Sequence, residues 1–283
     1  MIPMIYTVFY IGVALHLVTA ATALAYAATS RDARLLRLSG HLLLGALVAH
    51  ACVFVLRYVA WNVVPLAGVA DSFNLFIFLV SLTSYAVTRS QKRQALLTFY
   101  TPVLAALCLI AVIVTARSLG ESPRALPIVL VTIHVGLAFL AYALFFVASL
   151  TGGAYAFAAR QLKRLNTVGF AQKLPSLENM DRTLYLLIAF GYPVFVVTLV
   201  LGVAWAWYDT GSLTSSWWWS PKIIWSVVMV ALYAFSFHAR SLGLLRGPKL
   251  AHLICIGFGF MLSVYLVLEL LHLLTYNFYQ EAP

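Results

Sequence analysis

The side chains of this chain that best suit metal chemistry are its histidines, of which there are seven in 283 residues. Neutral imidazole is the commonest side-chain ligand of metal ions in proteins. The sulfur ligands show no such pattern, because Cys52, Cys108 and Cys255 are far apart and have neither a zinc-type nor a disulfide spacing. We therefore interpret the cysteines as small buried hydrophobic residues. The sequence contains no Ser-His-Asp arrangement, carboxylate pair or phosphate-binding loop, so it predicts no independent catalytic centre.

Tryptophan is concentrated in one segment. Six of the seven tryptophans fall within residues 205–225, which read WAWYDTGSLTSSWWWSPKIIW. One interpretation is an aromatic belt at the membrane interface, but a belt would spread its tryptophans over many helix ends. The other is an apolar shelf, on which a flat ligand stacks against the indole faces.

The composition is that of an integral membrane protein. Hydrophobic residues make up 63% of the chain and charged residues 9%, whereas soluble domains average about 45–50% and about 25%. This excludes a soluble globular domain, and it excludes nucleic-acid binding as the meaning of the net charge of +10. The start of the chain, MIPMIYTVFYIG, lacks the basic region of a signal peptide. We expect it to be the beginning of a retained first span.

Eight segments are long and apolar enough to cross a bilayer, which takes about 20 residues. They are residues 4–28, 41–60, 72–88, 96–116, 126–158, 183–208, 222–239 and 250–276. The fifth is too long for one crossing, so we expect its C-terminal part to project into water. The apolar runs are continuous and do not alternate, which excludes barrel strands. The prediction is an all-α integral membrane protein with about eight transmembrane helices, forming one polytopic domain over residues 1–283.

The basic residues predict the orientation. Fourteen of the 18 lysines and arginines lie in the connections that follow spans 1, 3, 5 and 7. The positive-inside rule assigns these connections to the cytoplasm and both chain termini to the outside. The other four, Arg57, Arg117, Arg124 and Lys222, fall at or near the outer surface. We expect a multi-pass protein of a bacterial inner membrane.

This orientation gives each histidine a depth. His134 and His272 lie near the outer ends of spans 5 and 8, His50 and His16 at mid-depth, His238 near an inner end, and His41 and His252 at inner helix boundaries. Ionisable residues within a membrane are costly and are functional candidates by default. Two imidazoles at one depth on different helices, such as His134 and His272, can clamp a metal such as haem iron. We interpret His16 as a packing residue, and His41 and His252 as residues in contact with solvent or headgroups.

In the tryptophan segment the chain resembles the cytochrome c assembly membrane-protein family, with its CcsA/ResC-type and HemX-like members. A tryptophan-rich outer segment of that family runs into an Asp-Pro-Lys-Glu-x-Trp pattern. The matching residues here are Trp217, Trp219, Pro221, Lys222 and Trp225. The helix that follows resembles a family helix with a histidine shortly before an arginine, here His238 and Arg240. His134 and Tyr142 fit the helix of the family's first outer histidine, and residues 174–193 resemble the link into the next helix.

The resemblance implies a protein that receives haem b and presents it at the outer face for attachment to a c-type cytochrome. It implies His134 and His272 as the outer ligands of haem iron. It also implies a deeper histidine, His238, that would bind haem on its way across. His50, which has a weaker similarity to a histidine in the second helix of HemX-like members, could assist it. Trp217, Trp219 and Trp225 would pack against the porphyrin. The implied partners are haem, an apocytochrome c that brings its own CxxCH, and a second membrane subunit; the chain would be at most one component of a haem lyase.

The haem propionates are anionic and need cationic or wet surroundings. Lys222 lies beside the tryptophans, and Arg57, Arg117 and Arg124 belong to the same surface, either for this purpose or as ordinary loop charges. Imidazole ligates iron in its neutral form, so we expect acidification to weaken the binding of haem.

The sequence departs from the family pattern at three places. Ser220 stands where the family has Asp, and Ile223 where it has Glu. A strict register places Tyr276 at the second outer ligand position, with His272 one turn earlier. These departures keep open a HemX-like regulator or accessory factor of tetrapyrrole metabolism. A haem-b electron-transfer subunit and a small-molecule transporter fit less well, because most spans carry one histidine and paired broken helices are not evident.

Overall fold

The computed structural model describes residues 1–28, 32–115, 118–123, 125–126, 129–164, 170–210 and 215–270. Over these residues the structure has nine α-helices and no strand. They are α1 (Ile2–Ala28), α2 (Ala33–Trp61), α3 (Val69–Thr88), α4 (Leu97–Thr115), α5 (Val129–Lys163), α6 (Leu177–Thr210), α7 (Ser215–Trp218), α8 (Pro221–Ser241) and α9 (Pro248–Leu270). The prediction of an all-α membrane protein is confirmed.

The helices correspond to the predicted spans. Helices α1 to α6 and α8 are long and apolar enough to cross a membrane, with α4 extended by the 3₁₀ turn before it. Helix α9 contributes a shorter apolar stretch, Pro248–Ser263, at the place of the eighth predicted span. Helix α5 continues to Lys163, as expected from its excess length, and α7 is a short helix within the tryptophan segment.

Two helices begin earlier than the hydropathy predicts, because polar residues cap or continue them. Helix α2 begins at Ala33, where the backbone N–H of Arg34 donates to the Asp32 carboxylate at 2.8 Å. Helix α6 begins at Leu177, and Ser176 accepts a hydrogen bond from the backbone N–H of Asn179 at 3.3 Å. The charged first turns of these helices conceal their starts from an apolar scan.

The spanning helices form two groups. In the first bundle, α1 packs on α2 and α4, and α3 packs between α2 and α4. In the second bundle, α5 packs on α6 and α9, and α8 packs on the same two helices. The bundles meet where α3 and α4 contact α5. At this junction the hydroxyl oxygens of Tyr100 and Thr151 are 2.6 Å apart, and Phe76 packs against Phe139 and Phe146.

Aromatic rings hold the second bundle together. Phe145 of α5 stacks in parallel on Tyr233 of α8, with ring centroids 3.5 Å apart, and meets Phe195 of α6 edge-on. Gly191 makes this possible, since a Cβ atom there would lie 2.7 Å from the Phe145 ring. The ring can therefore lie directly against the α6 backbone.

A buried ion pair holds the end of the first bundle that the sequence predicts to face outside. Arg57 of α2 donates two hydrogen bonds to the Asp71 carboxylate of α3, from Nε at 2.6 Å and from Nη2 at 3.1 Å. Arg57 also donates to the backbone carbonyls of Leu119 and Glu121, and its guanidinium lies over the Trp61 ring. Both charged side chains are almost fully buried. This overturns the suggestion that Arg57 is a surface charge near the propionates, because its donors hold α2, α3 and the connection after α4 together.

The basic connections come together at the opposite end. Arg37, Lys92 and Lys173, which the sequence assigned to three different connections, line one cavity of about 300 Å³. Lys173 donates to the carbonyls of Tyr26 and Ala27 at the end of α1, at 3.0 and 3.3 Å. These contacts place three of the predicted cytoplasmic connections at one end of the molecule.

Candidate functional site

His134 lies between α5 and α6, near the outer end of α5. Its Nδ1 is 2.8 Å from the backbone carbonyl oxygen of Thr198. A carbonyl oxygen only accepts hydrogen bonds, so Nδ1 carries the proton of the neutral ring and Nε2 carries the lone pair. Metal-binding histidines usually have this arrangement, in which the second nitrogen donates to a backbone carbonyl or a carboxylate. The surroundings of His134 therefore fix both the ring orientation and the tautomer suited to ligation.

Gly202 provides the space for the His134 ring. A Cβ atom on Gly202 would lie 2.9 Å from Cε1 of that ring, closer than side chains pack, and 3.4 Å from its Nδ1. Thr198, Gly202 and Trp205 follow one another along α6 at i, i+4 and i+7, so they share one helix face. The face that holds His134 thus continues outward to the first residue of the tryptophan segment.

The tryptophan segment forms the outer connection between α6 and α8. Trp217 and Trp218 are at the end of α7 and meet edge-on, with centroids 4.8 Å apart, and Trp219 lies in the turn before α8. Trp219 is 77% exposed and Trp217 is half-buried. Trp225 of α8 is also half-buried and packs on Phe260 of α9, with centroids 4.8 Å apart. The segment is therefore anchored by Trp225 and presents Trp219 as open apolar surface.

The departure at Ser220 falls immediately before α8. Ser220 occupies the N-cap and Pro221 the first helical position, a common way to begin a helix. Serine and aspartate are about equally good N-cap residues. The Ser220 side chain makes no capping hydrogen bond to the described residues, and a serine where the family pattern has Asp removes one negative charge beside the tryptophans. The side chain of Lys222 is not among those that the structure describes.

His238 lies at the inner end of α8. Its ring is exposed and meets the rings of Tyr192 and Phe237 edge-on, at 6.3 and 5.1 Å. Arg240 next to it forms an ion pair with Asp181 of α6 at 2.5 Å. Asp181 also accepts a hydrogen bond from the backbone N–H of Gly247, which has a positive φ of 60°. The His-x-Arg pattern at the end of α8 thus places an accessible histidine and ties its helix to α6.

His50 has different surroundings, deep in the first bundle. It is fully buried, and its ring meets the ring of Phe9 edge-on and lies near that of His16, with centroids 5.9 and 5.4 Å apart. The structure therefore brings His50 together with His16, which we had interpreted as a packing residue. His272, Tyr276, Arg117 and Arg124 lie outside the described residues.

Comparison with known families shows where the sequence belongs. The sequence model of the family described as cytochrome C assembly protein matches residues 66–274. The chain belongs to this family. The matched residues of this cytochrome c assembly protein include His134, His238, His272 and the whole tryptophan segment, whereas His16 and His50 lie before them.

Individual relatives match over shorter segments. The chain is 33% identical over 100 residues to the cytochrome c biogenesis protein CcsA of Thermosynechococcus vestitus, which covers 35% of this chain and 30% of the relative. It is 29% identical over 122 residues to the protein HemX of Bacillus subtilis, 43% of each chain. It is 30% identical over 126 residues to CcsA of Microcystis aeruginosa, 44% of this chain and 37% of the relative. These matches span less than half of each relative's length.

Sequence reasoning missed one cluster of possible ligands. Cys108 is fully buried in α4, and its sulfur lies with one nitrogen each of His16 and His50 in a group whose atoms are all within 4.8 Å of one another. The three residues come from three helices, so no spacing along the chain reveals the group. Of the other cysteines, Cys255 is partly buried and Cys52 is exposed on α2, which corrects the expectation that all three are buried.

Proposed function

We propose that this protein binds haem b at the outer side of the membrane and presents it for attachment to an apocytochrome c. The observation that carries the proposal is the hydrogen bond from His134 to Thr198, with Gly202 clearing the space for the ring. It pre-orients a neutral imidazole for iron at the end of the helix pair that leads into the tryptophan segment. Haem is the cargo in this proposal, and His134 is its first axial ligand.

The second axial ligand in the proposal is His272, which follows directly on the described part of α9. Helix α9 packs on α5 and α8, and Phe260 of α9 contacts Trp225. The helix that leads to His272 therefore neighbours both the helix of His134 and the tryptophan segment. Tyr276 is the alternative ligand on the same stretch of chain.

The tryptophans and Lys222 form the proposed surface for the porphyrin. Trp219 is largely exposed and Trp217 half-buried, and indole faces provide a large area for stacking on a flat macrocycle. Trp225 supports the start of α8 through its packing on Phe260. Lys222 contributes the positive charge that the propionates require.

His238 is the proposed ligand for haem on the cytoplasmic side. It is accessible at the inner end of α8, and the ion pair between Arg240 and Asp181 holds that end in place. His50 is the weaker candidate for this step, because it is fully buried and precedes the residues that match the family. Passage of haem along His50 would require the first bundle to open.

The proposed setting is c-type cytochrome biogenesis in a bacterial inner membrane. Two of the relatives named above carry the description cytochrome c biogenesis protein. The proposed partners are haem, an apocytochrome c with its CxxCH thiols, and a second membrane subunit. Because the sequence predicts no independent catalytic centre, the proposed contribution of this chain is to hold and position haem.

The test is complementation of a strain that lacks the gene. We expect the unchanged protein to restore covalent haem on c-type cytochromes, measured by haem staining after denaturing electrophoresis, and His134→Ala to fail at equal protein level. His252→Ala is the matched control, since His252 is an exposed histidine on α9 that bonds to its own helix at Pro248. Fully haemylated cytochromes in the deletion strain would contradict the proposal.

A regulator of tetrapyrrole metabolism is the second candidate. The match to HemX covers 43% of that relative's length, against 30% and 37% for the two CcsA relatives named above. The loss of the family's Asp and Glu at Ser220 and Ile223 also favours a member that binds haem without attaching it. This candidate predicts altered levels of haem precursors in the deletion strain while the c-type cytochromes remain intact.

A further inference from the structure

Two buried histidines and a cysteine converge in the middle of the first bundle. His16 of α1, His50 of α2 and Cys108 of α4 are each fully buried. One ligand atom from each lies within 4.8 Å of the other two. Their surroundings are apolar, since Phe9 and Val53 pack in the same core cluster as Cys108. Polar groups at this depth are costly unless they have partners, so their convergence calls for a chemical reason.

Neighbouring residues orient both rings. Asn74 of α3 donates from Nδ2 to the His50 carbonyl at 3.3 Å, which turns its Oδ1 toward His50 Nδ1 at 2.7 Å. An amide oxygen only accepts, so Nδ1 carries the proton and Nε2 carries the lone pair. His16 Nε2 is 3.3 Å from the Ser81 hydroxyl oxygen. The remaining nitrogens, His16 Nδ1 and His50 Nε2, are buried and have no hydrogen-bond partner among the described residues.

Backbone packing supports the same arrangement. Gly12 lies one turn before His16 on α1, and a Cβ atom there would be 3.1 Å from His50 Nε2 and 3.3 Å from Cδ2. Glycine at this position lets α1 approach α2 closely enough to bring the two rings together. The pattern of a lone-pair nitrogen on one side of a ring and a bonded N–H on the other is typical of metal-binding histidines.

We propose that His16, His50 and Cys108 bind a single Cu(I) ion. Cu(I) favours soft thiolate and imidazole ligands and accepts a low coordination number. A Cys108 thiolate would balance its single positive charge, so the loaded site has no net charge in the middle of the membrane. Zn²⁺ on the same three ligands would leave one positive charge uncompensated and would lack its usual fourth ligand. Binding breaks the S–H bond of Cys108, releases that proton to solvent and changes no oxidation state.

The geometry suits a small ion and not a porphyrin. Metal–nitrogen bonds of about 2.0 Å and metal–sulfur bonds of about 2.3 Å place neighbouring ligand atoms about 3.5–4 Å apart around one ion. The ligand atoms of His16, His50 and Cys108 lie within 4.8 Å of one another, so small side-chain adjustments would bring them to this spacing. The ring centroids of His16 and His50 are 5.4 Å apart with Cys108 beside them, which leaves no slot for a macrocycle.

The experiment measures copper in the full-length protein. Protein expressed in copper-supplemented cells is purified in detergent without oxygen, and its copper is counted by mass spectrometry before and after exposure to the Cu(I) chelator bicinchoninate. We expect about one copper per chain that the chelator removes slowly. For Cys108→Ser and His16→Gln, which remove direct ligands, we expect affinity to fall by more than the roughly 10–100-fold that losing an outer-shell partner costs. Copper below a tenth of an equivalent, or zinc in its place, would overturn the proposal.

Matched controls test whether the site is specific. Cys52→Ser and Cys255→Ser replace the two other cysteines, and His252→Gln replaces an exposed histidine. We expect all three to retain copper as the unchanged protein does. X-ray absorption at the copper edge of the unchanged protein does not depend on any variant folding, and we expect one sulfur and two nitrogen neighbours. Two or more sulfur neighbours, or equal copper in Cys108→Ser, would refute the assignment.

Discussion

The two bundles of this protein differ in how far their polar and functional residues are buried. In the first bundle, His16, His50, Arg57 and Asp71 are nearly or fully buried and are enclosed by α1 to α4. In the second, His238 is exposed, His134 is only partly buried, and Trp207, Trp218 and Trp219 of the tryptophan segment are exposed. Within an apolar stretch of 18 residues in each span, 39–50% of residues are buried for α1 to α4, against 22–28% for α5, α6 and α8.

We interpret this difference as one between a scaffold and the proposed binding surface. The family match begins at residue 66, so α1 and α2 lie outside it, while α5 to α9 carry the matching histidines and tryptophans. A large flat ligand needs accessible aromatic faces and histidines at the edges of helices, and the second bundle has both. The first bundle offers an enclosed cluster and a buried ion pair, which suit a small ion and structural stability.

The largest expected effect of a single change lies in the first bundle. Arg57→Ala leaves the Asp71 carboxylate buried without its partner and removes the donors to the Leu119 and Glu121 carbonyls. We expect a loss of about 3–5 kcal/mol in the free energy of unfolding, measured by denaturant titration in mixed micelles. Arg57→Met combined with Asp71→Leu should recover much of this loss, because it removes both charges.

The matching ion pair of the second bundle provides the contrast. Arg240 and Asp181 are 20% and 16% exposed, so solvent screens their charges more than in the first bundle. For Arg240→Ala we expect a loss of about 1 kcal/mol in the same titration. Equal losses for Arg57→Ala and Arg240→Ala would remove the distinction between scaffold and binding surface.

A smaller change tests how His134 is positioned. Gly202→Ala places a methyl group 2.9 Å from the His134 ring and should shift it from its hydrogen bond to Thr198. We expect haem retained on purification to fall about tenfold, which corresponds to about 1.4 kcal/mol. Gly136→Ala is the control. Gly136 is on the same helix as His134, and a Cβ atom there would meet no atom within 4 Å. If the two variants retain equal haem, His134 does not depend on this packing.

The smallest expected effect on stability is at the open tryptophan. Trp219 is 77% exposed, so Trp219→Ala should change the free energy of unfolding by less than about 0.5 kcal/mol. Its stacking surface would nevertheless be lost, so we expect weaker retention of haem in the absorbance spectrum. Trp61→Ala, which removes the ring under Arg57, should do the opposite and reduce stability while leaving haem retained. Unchanged haem retention in Trp219→Ala would exclude this residue from the porphyrin surface.

Hydropathy and charge predicted most of the fold, because eight long apolar runs leave few alternatives in a membrane. The early starts of α2 and α6 were not predicted, since capping by Asp32 and Ser176 adds polar turns that an apolar scan excludes. His134 was singled out from its depth and family pattern. Its tautomer depends on a carbonyl 64 residues away, so only the packing of α5 on α6 reveals it.

The first bundle was the less predictable region. Arg57 reads in sequence as an outer surface charge, and only the fold shows Asp71 and two carbonyls around it. His16 and Cys108 each have an ordinary interpretation as packing residues when taken singly. They come together with His50 only because α1, α2 and α4 pack on one another, and no local sequence pattern predicts that packing.

The central claim is that the second bundle holds haem through His134. The most direct measurement is the visible spectrum of the purified full-length protein, oxidised and reduced, beside His134→Ala and the control His252→Ala. We predict a bis-histidine haem spectrum in the unchanged protein and in His252→Ala, and its loss in His134→Ala. A colourless protein that takes up no added haem, or an unaltered spectrum in His134→Ala, would contradict the account.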